Sequence, residues 1–217
     1  SNEEGVRFQP DMMGSMVHQG HLSLDGMLGS KDRDGRTFND ELKRIGYAGD
    51  VAINTIRPRA FIELHVEQGP VLEREEISVG AVEGVQGLSW REYTFHGQSN
   101  HAGTTPMTLR HDAGYAASEL AVFARNLALD MAGDQVITVG TMILTPNLVN
   151  VVPKQAIITT DARNTDNDLL LQADSRLDAF AHDIAEREGL SVTIKPLARY
   201  DPTPFDPAIV DLVVASA

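Results

Sequence analysis

Two acidic residues and one histidine carry the first chemical signal in the sequence. Glu3 and Glu4 are adjacent and precede Gly5, and His65 lies in the alternating segment 60–66. A carboxylate can bind a divalent metal while its neighbour carries a proton, and imidazole is the commonest metal ligand. A Glu-Glu pair is usually solvated surface and a lone histidine is usually structural. These residues therefore predict a metal site only in combination.

The segment around His65 predicts a β-strand at residues 60–66. Its apolar and polar residues alternate, so that Glu63, His65 and Glu67 share one face. The turn at residues 68–70, Gln-Gly-Pro, then ends the strand. Strand ends are where α/β proteins place their sites, and carboxylates beside a histidine can orient it or ligate with it.

A polar loop is the second signal. Residues 100–107 read Asn-His-Ala-Gly-Thr-Thr-Pro-Met, and this setting of His101 suits the binding of a carbonyl oxygen or an oxyanion. Asn150 lies in a turn and Arg163 ends a Thr-rich strand. An Arg fork together with an amide is a common way to hold a carboxylate. Each of these residues taken alone would be structural or solvated in most proteins.

The elements that position this loop form a regular pattern from residue 87 onward. Strands are predicted at residues 89–95, 135–144, 156–162 and 190–197, and helices at residues 112–129 and 167–188. The order β-α-β-β-α-β is a split βαβ arrangement. We predict a two-layer α+β domain at residues 87–200, in which two helices cover one face of a four-stranded antiparallel sheet.

The flanking segments are less regular. They predict helices at residues 12–18, 38–45, 70–75 and 208–217, and a strand at residues 77–82. The chain lacks an initial methionine and stops inside an apolar segment. We therefore expect a piece of a larger α/β protein, with parts of one domain at residues 1–86 and 201–217 around an inserted domain at 87–200.

Composition narrows the function classes. The formal charge of the 217 residues is −13, which would repel nucleic acid and anionic membranes. No apolar run approaches the roughly 20 residues of a membrane helix. The chain has no cysteine, which excludes disulfides and thiolate metal sites and fits a cytoplasmic protein. We expect a small-molecule ligand.

Together these residues resemble the two-metal amidohydrolases that include N-carbamoyl-L-amino acid hydrolase, allantoate amidohydrolase and β-ureidopropionase. The matching stretches lie at residues 2–8, 64–70, 100–107 and 147–152. The strings His-Val-Glu-Gln-Gly-Pro and Asn-His-Ala-Gly-Thr-Thr-Pro-Met are specific to this family. The resemblance covers essentially the whole chain.

The resemblance implies a role for each signal residue. Glu3 is implied as the general base, Glu4 as a ligand of one zinc and His65 as a ligand of the other. Substrate contacts are implied for Gln68, His101, Asn150 and Arg163. The family further implies two Zn²⁺ ions per subunit, with Mn²⁺ or Co²⁺ possible, and a metallopeptidase-like α/β catalytic domain. Residues 87–200 correspond to its lid domain, which forms a homodimer.

The family pattern also contains residues that this sequence lacks. A His and a bridging Asp upstream of the Glu-Glu pair, and a further His near the C-terminus, lie outside these 217 residues. We therefore expect the chain by itself to be inactive. The implied parent reaction is hydrolysis of the ureido group of N-carbamoyl-L-amino acids to the amino acid, ammonia and carbon dioxide.

Several alternatives remain open. Allantoate is an almost equally good substrate candidate, since both branches share these motifs. A dipeptidase or deacetylase fits less well with the Gln68 turn and the Asn150/Arg163 pair. A different class of function is an inactive dimerisation or binding module built on the split βαβ domain.

Overall fold

The structure is a computed structural model that describes residues 2–131 and 133–217. The chain divides into two compact units, one ending at Val66 and one running from Glu67 to Ala217. The domain boundaries expected at residues 86 and 200 stay a prediction. Among the described residues, no helix has the length and apolar character that crossing a membrane requires.

The first unit contains three short helices, α1 (Met13–His18), α2 (Leu24–Leu28) and α3 (Phe38–Arg44). The predicted helices at 12–18 and 38–45 are therefore confirmed to within a residue. The Thr37 side chain caps α3 by accepting a hydrogen bond from the Asp40 amide. The small core of this unit is formed by Phe8, Met13 and Val17.

The strand predicted at residues 60–66 is wrong. These residues have no regular secondary structure, and the apolar side of the pattern faces solvent, with Leu64 95% exposed. A strand needs a neighbour to accept and donate its backbone hydrogen bonds, and among the described residues no segment pairs with 60–66. Alternation alone could not provide that partner.

The second unit begins with α4 (Val71–Arg74) and ends with α7 (Pro207–Ser216), both at predicted helices. A two-stranded pair, β1 (Gly84–Val85) with β6 (Thr203–Pro204), lies between them. The strand predicted at residues 77–82 is wrong, because that segment has no regular structure. The β1–β6 pair brings the two ends of the predicted 87–200 domain side by side.

The main layer is an antiparallel sheet of four ten-residue strands. In chain order they are β2 (Gly87–His96), β3 (Val136–Thr145), β4 (Gln155–Asn164) and β5 (Ser191–Tyr200). Their spatial order is β3-β4-β2-β5, and helices α5 (Ala113–Asp130) and α6 (Asn167–Arg187) pack on the sheet. The predicted split βαβ domain is confirmed, and it is called the sheet domain below.

The sheet domain has a continuous apolar core because its helices and strands follow their sequence periods. Leu170, Leu177 and Ile184 recur every seven residues on α6 and are completely buried. Leu177 and Ile184 belong to one cluster with sheet residues such as Tyr93 and Phe95. A short 3₁₀ helix (Met107–Leu109) follows the loop that contains His101.

Candidate functional site

Three exposed side chains of the first unit form a possible metal site. Glu3, Glu4 and His65 each offer a ligand atom, and these atoms all lie within 4.8 Å of one another. These are the three residues to which the sequence resemblance assigned a general base and two ligands. The structure brings them together, and their roles in metal binding remain predictions.

A tight turn holds the two glutamates in place. The Met12 amide donates to the Glu3 carbonyl at 2.6 Å. Gly5 has a φ of +63°, and a Cβ there would lie only 2.7 Å from the Asp11 backbone nitrogen. Only glycine combines that backbone conformation with that close approach. The glycine after the acidic pair is therefore a structural requirement of the turn.

A backbone carbonyl orients His65. Its Nδ1 lies 2.6 Å from the Val66 carbonyl oxygen. Because a carbonyl oxygen only accepts, Nδ1 must carry the proton, and the lone pair of the neutral ring is then on Nε2. A histidine that donates one ring N–H to a carbonyl and ligates through the other nitrogen is the usual arrangement at metal sites.

The electrostatics of the cluster reflect its two carboxylates. Partial desolvation, followed by the negative charge of Glu4, raises the pKa of Glu3. The hydrogen bond to the Val66 carbonyl raises the pKa of His65, and the nearby carboxylates of Glu3 and Glu63 raise it further. A raised carboxyl pKa suits a group that takes up and returns a proton near neutral pH.

The alternating sequence pattern predicted that Glu67 shares one strand face with His65, but Glu67 has a different role. In the second unit its carboxylate oxygens accept hydrogen bonds from the Val71 and Leu72 amides at 2.9 and 3.0 Å, and so cap α4. Gln68, next to it, has a positive φ of 54°. The predicted substrate residue Gln68 thus lies in a tight turn before a capped helix.

Two of the predicted substrate-binding residues lie on adjoining loops at one end of the sheet domain. The Ala102 amide donates to the Asn150 carbonyl at 2.9 Å, and the Val152 amide donates to the Asn100 carbonyl at 2.8 Å. His101 and Val151 form an isolated β-bridge. Backbone pairing therefore fixes the loop that contains His101 against the turn that contains Asn150.

Arg163 does not join them. The His101 loop lies at the Gln155 end of β4, whereas Arg163 is next to the last residue of that strand. Gln155 and Arg163 are roughly 27 Å apart at about 3.4 Å per strand residue. The expected arrangement, with Asn150 and the Arg163 fork on one carboxylate, is thus absent within one chain. The Arg163 guanidinium instead forms a bidentate pair with Asp161, with Nη2 to Oδ2 at 2.8 Å.

Sequence reasoning missed Arg110, which contacts the His101 loop, and it did not indicate that the amide of Gly103, within that loop, contacts the imidazole. Arg110 donates to two carbonyls of the loop, and the Gly103 amide donates to Nδ1 of His101. The sequence shows an arginine two residues before Asp112, the cap of α5. Its spacing did not indicate which groups its side chain would contact.

Comparison with known proteins identifies the relatives of this chain. No family model matches it. It is 39% identical over 217 residues to an N-carbamoyl-L-amino-acid amidohydrolase of Rhizobium meliloti, covering 100% of the chain and 52% of that protein. It is 34% identical to an allantoate amidohydrolase of Escherichia coli, covering 97% of the chain and 52% of that protein.

Solved structures give the same result. An amidase of the hydantoinase/carbamoylase family from Burkholderia multivorans matches with a TM-score of 0.88 and 43% identity, over 100% of this chain and 53% of that one. A family member from Burkholderia ambifaria matches with a TM-score of 0.85 and 33% identity, with the same coverage. This chain spans about half the length of these relatives. Together the motifs, the fold and these similarities show that the chain belongs to the hydantoinase/carbamoylase family of amidases.

Proposed function

We propose that this chain contributes part of the active site and the lid of a metal-dependent amidohydrolase. Its substrates are linear ureido compounds, with N-carbamoyl-L-amino acids as first choice and allantoate as second. The observation that carries the proposal is the convergence of Glu3, Glu4 and His65 within 4.8 Å. Relatives named for both substrates support the reaction class.

The donor set fits a divalent cation. It combines two carboxylates with an imidazole whose Nδ1 is already engaged by a backbone carbonyl. Such mixed oxygen and nitrogen ligands suit Zn²⁺, and Mn²⁺ or Co²⁺ are possible occupants. Glu4 would hold one metal ion and His65 the other. When bound, these ions would polarise the ureido carbonyl and make a hydroxide nucleophile available near neutral pH.

Glu3 is the proton carrier in this proposal. Its carboxylate accepts the proton of the attacking water and returns it to the leaving nitrogen of the ureido group. The raised pKa of Glu3 supports this role, because a more basic carboxylate is a better proton acceptor. Neutral imidazole at His65 keeps its Nε2 lone pair for ligation.

The sheet domain supplies the substrate contacts. His101 donates a hydrogen bond to the oxygen that becomes negatively charged during attack, and the Arg163 fork binds the substrate carboxylate. Arg163 lies roughly 27 Å along β4 from the strand end that adjoins the His101 loop. Because one substrate cannot span that length, we propose that these two contacts come from different subunits of a homodimer formed through the sheet domain. Gln68 and Asn150 are the remaining proposed substrate contacts.

The central claim is tested by measuring metal content and turnover in a longer protein that contains this chain together with the remaining metal ligands of the family. We expect His65→Ala to lose one metal ion and nearly all ammonia release from N-carbamoyl-L-methionine, because an opened coordination shell loses the activated water. His21→Ala is the matched control, since His21 is also an exposed histidine of the first unit. Full metal content and a near-normal rate in His65→Ala would refute the assignment. A higher kcat/KM for allantoate than for N-carbamoyl-L-methionine would make allantoate the preferred substrate, and the proposed reaction class would stand.

Subunit mixing tests the two-subunit site. His101→Ala and Arg163→Lys are each expected to be impaired, since Lys cannot reproduce a bidentate fork. Random exchange of subunits between the two variants makes half of the dimers mixed. If the contacts come from different subunits, each mixed dimer has one intact site out of two. About a quarter of wild-type activity should therefore return. If the mixture is no more active than the two variants measured separately, both contacts belong to one subunit.

Experiments on the 217-residue chain alone distinguish the enzyme hypothesis from the binding-module hypothesis. We propose that it releases no ammonia with added Zn²⁺, Mn²⁺ or Co²⁺, because the family's other ligands lie outside it. Stoichiometric binding of Zn²⁺ that depends on His65 would support the metal site. Absence of zinc from both the chain and the longer protein would favour the module.

A further inference from the structure

The imidazole of His101 is fixed by the backbone of its own loop. The Gly103 amide donates to Nδ1 of His101 at 3.1 Å. A backbone amide can only donate, so Nδ1 must be the unprotonated nitrogen, and the proton of the neutral ring is on Nε2. The loop therefore presents His101 as an Nε2–H donor.

Gly103 allows this contact because it has no side chain. A Cβ at Gly103 would lie 3.2 Å from Cε1 and 3.5 Å from Nδ1 of His101. That distance is shorter than an ordinary carbon–carbon contact of about 3.5–4.0 Å. An alanine would push the ring away from the amide that sets its tautomer.

Arg110 closes the loop from the other side. Its Nη2 donates to the Ala102 carbonyl at 2.7 Å and its Nε donates to the Thr105 carbonyl at 3.1 Å. The Thr105 amide in turn donates to the His101 carbonyl at 3.2 Å. Arg110 is half-buried, and its planar fork bridges carbonyls on either side of Gly103. It thereby holds the amide that contacts the ring.

We propose that Arg110 is a positioning residue that locks the His101 loop so that His101 is the Nε2-protonated donor in catalysis. This inference rests on the proposed function of His101 as a donor to the substrate oxygen. Arg110 itself does not touch the substrate. Its effect passes through the Ala102 and Thr105 carbonyls to the turn that sets the imidazole tautomer.

Ring ¹⁵N spectra of the 217-residue chain test the tautomer without any turnover. The spectra are recorded at about pH 8.5, above the ordinary imidazole pKa of about 6.5. The wild type and Arg125→Gln, a control at an exposed arginine on α5, should show a pyridine-like Nδ1 and a pyrrole-like Nε2 at His101. Arg110→Gln and Gly103→Ala should show averaged signals of a mixed population. A pyrrole-like Nδ1 in the wild type, or an unchanged tautomer in Arg110→Gln, would overturn the inference.

Kinetics of the protein with the complete metal site test the consequence. Arg110→Gln should lower kcat by up to about 100-fold, the scale of a group displaced by about 1 Å, with a smaller change in KM. Arg110→Lys should retain part of the rate, because one ammonium can reach one of the two carbonyls. Equal rates in Arg110→Gln and Arg125→Gln would overturn the positioning role.

His101→Ala distinguishes the two possible failures. If His101→Ala loses activity and Arg110→Gln does not, the positioning role fails and the proposed function stands. If His101→Ala is fully active, the proposed donor role of His101 fails, and the positioning role in catalysis falls with it. The expected result is loss of activity in both variants, together with a mixed population of His101 tautomers in Arg110→Gln.

Discussion

The first unit and the sheet domain hold their candidate site residues in different ways. Glu3 and His65 lie in exposed segments without regular secondary structure, fixed by local turns and single backbone contacts. The His101 loop instead connects β2 to α5 in a domain with a continuous buried core. In the first unit local turns hold each candidate ligand, whereas in the sheet domain a packed layer positions a loop.

The two histidines show the same difference at atomic scale. His65 donates from Nδ1 to a carbonyl, which leaves a lone pair on Nε2 for the proposed metal. His101 accepts at Nδ1 from an amide, which leaves a proton on Nε2 for the proposed contact with a substrate oxygen. Identical side chains therefore have opposite chemistry because their backbone partners differ.

The largest stability effect is expected at a buried ion pair of the sheet domain. Arg91 Nε lies 3.2 Å from Asp174 Oδ1, and Asp174 is buried. This contact is too poorly aligned to count as a hydrogen bond, and Arg91 also donates from Nη1 to the carboxylate of Asp178, which is less buried. Asp174→Ala should lower the free energy of unfolding by about 3–4 kcal/mol, because it removes the buried carboxylate beside Arg91 and leaves only the more exposed Asp178 to compensate the charge. Urea denaturation followed by circular dichroism measures it.

A second ion pair on the same helix is the control. Asp183 pairs with Arg187 on the exposed face of α6, and Asp183→Ala should cost less than about 1 kcal/mol. Similar losses in both variants would mean that burial of Asp174 does not matter. The double variant Arg91→Met/Asp174→Leu should recover much of the loss, since a buried pair can be replaced by apolar packing.

Removal of a leucine side chain compares the two regions directly. Leu177 is completely buried in the core, whereas Leu64 is 95% exposed in the first unit. Leu177→Ala should cost about 2–5 kcal/mol through lost transfer energy and a cavity. Leu64→Ala should stay within about 0.5 kcal/mol. A large loss from Leu64→Ala would contradict the exposed conformation of residues 60–66.

A helix cap gives an intermediate effect. Asp112 Oδ1 accepts hydrogen bonds from the Gly114 and Tyr115 amides at 2.9 and 3.1 Å, at the start of α5. Asp112→Ala should cost about 1 kcal/mol, and Asp112→Asn should be nearly neutral because Asn is an equally good cap. Thermal unfolding of the two variants measures the difference. Equal melting temperatures would show that the cap contributes nothing.

The smallest effect is expected at the charged cluster of the first unit. Glu41 accepts hydrogen bonds from Arg44 and Arg7, which lower its pKa from 4.5 to about 2. A carboxylate whose pKa is lowered by folding stabilises the fold above its unfolded pKa, here about pH 4.5. That contribution is lost as pH falls toward 2. Carboxyl ¹³C shifts should show Glu41 titrating near pH 2.

Loss of one arginine tests the cause of this shift. Arg44→Gln should move the titration of Glu41 upward, because Arg44 provides its strongest hydrogen bonds. Arg33→Gln, at an exposed arginine of the same unit, should leave it unchanged. An unchanged Glu41 titration in Arg44→Gln would contradict the assigned cause.

The sequence by itself determined the sheet domain and the identity of the chemical residues. Leu170, Leu177 and Ile184 at seven-residue spacing define the buried face of α6, and Asp112 marks the start of α5. These signals are local, because a helix and its cap are formed within a few consecutive residues. The motif glutamates and histidines could be named for the same reason, since their short strings identify the family.

Only the tertiary structure decided which of these residues meet. Alternation at residues 60–66 predicted a strand, but a strand requires a hydrogen-bonded neighbour, and among the described residues none pairs with it. The spacing between Asn150 and Arg163 suggested one binding site, but Arg163 lies roughly 27 Å along the extended strand β4 from Gln155, the strand end that follows the Asn150 turn. Arg110 reaches back to Ala102 through a loop whose path no local pattern describes. Contacts between residues distant in sequence depend on how the chain packs, and so the sequence named the chemical groups while the fold determined their partners.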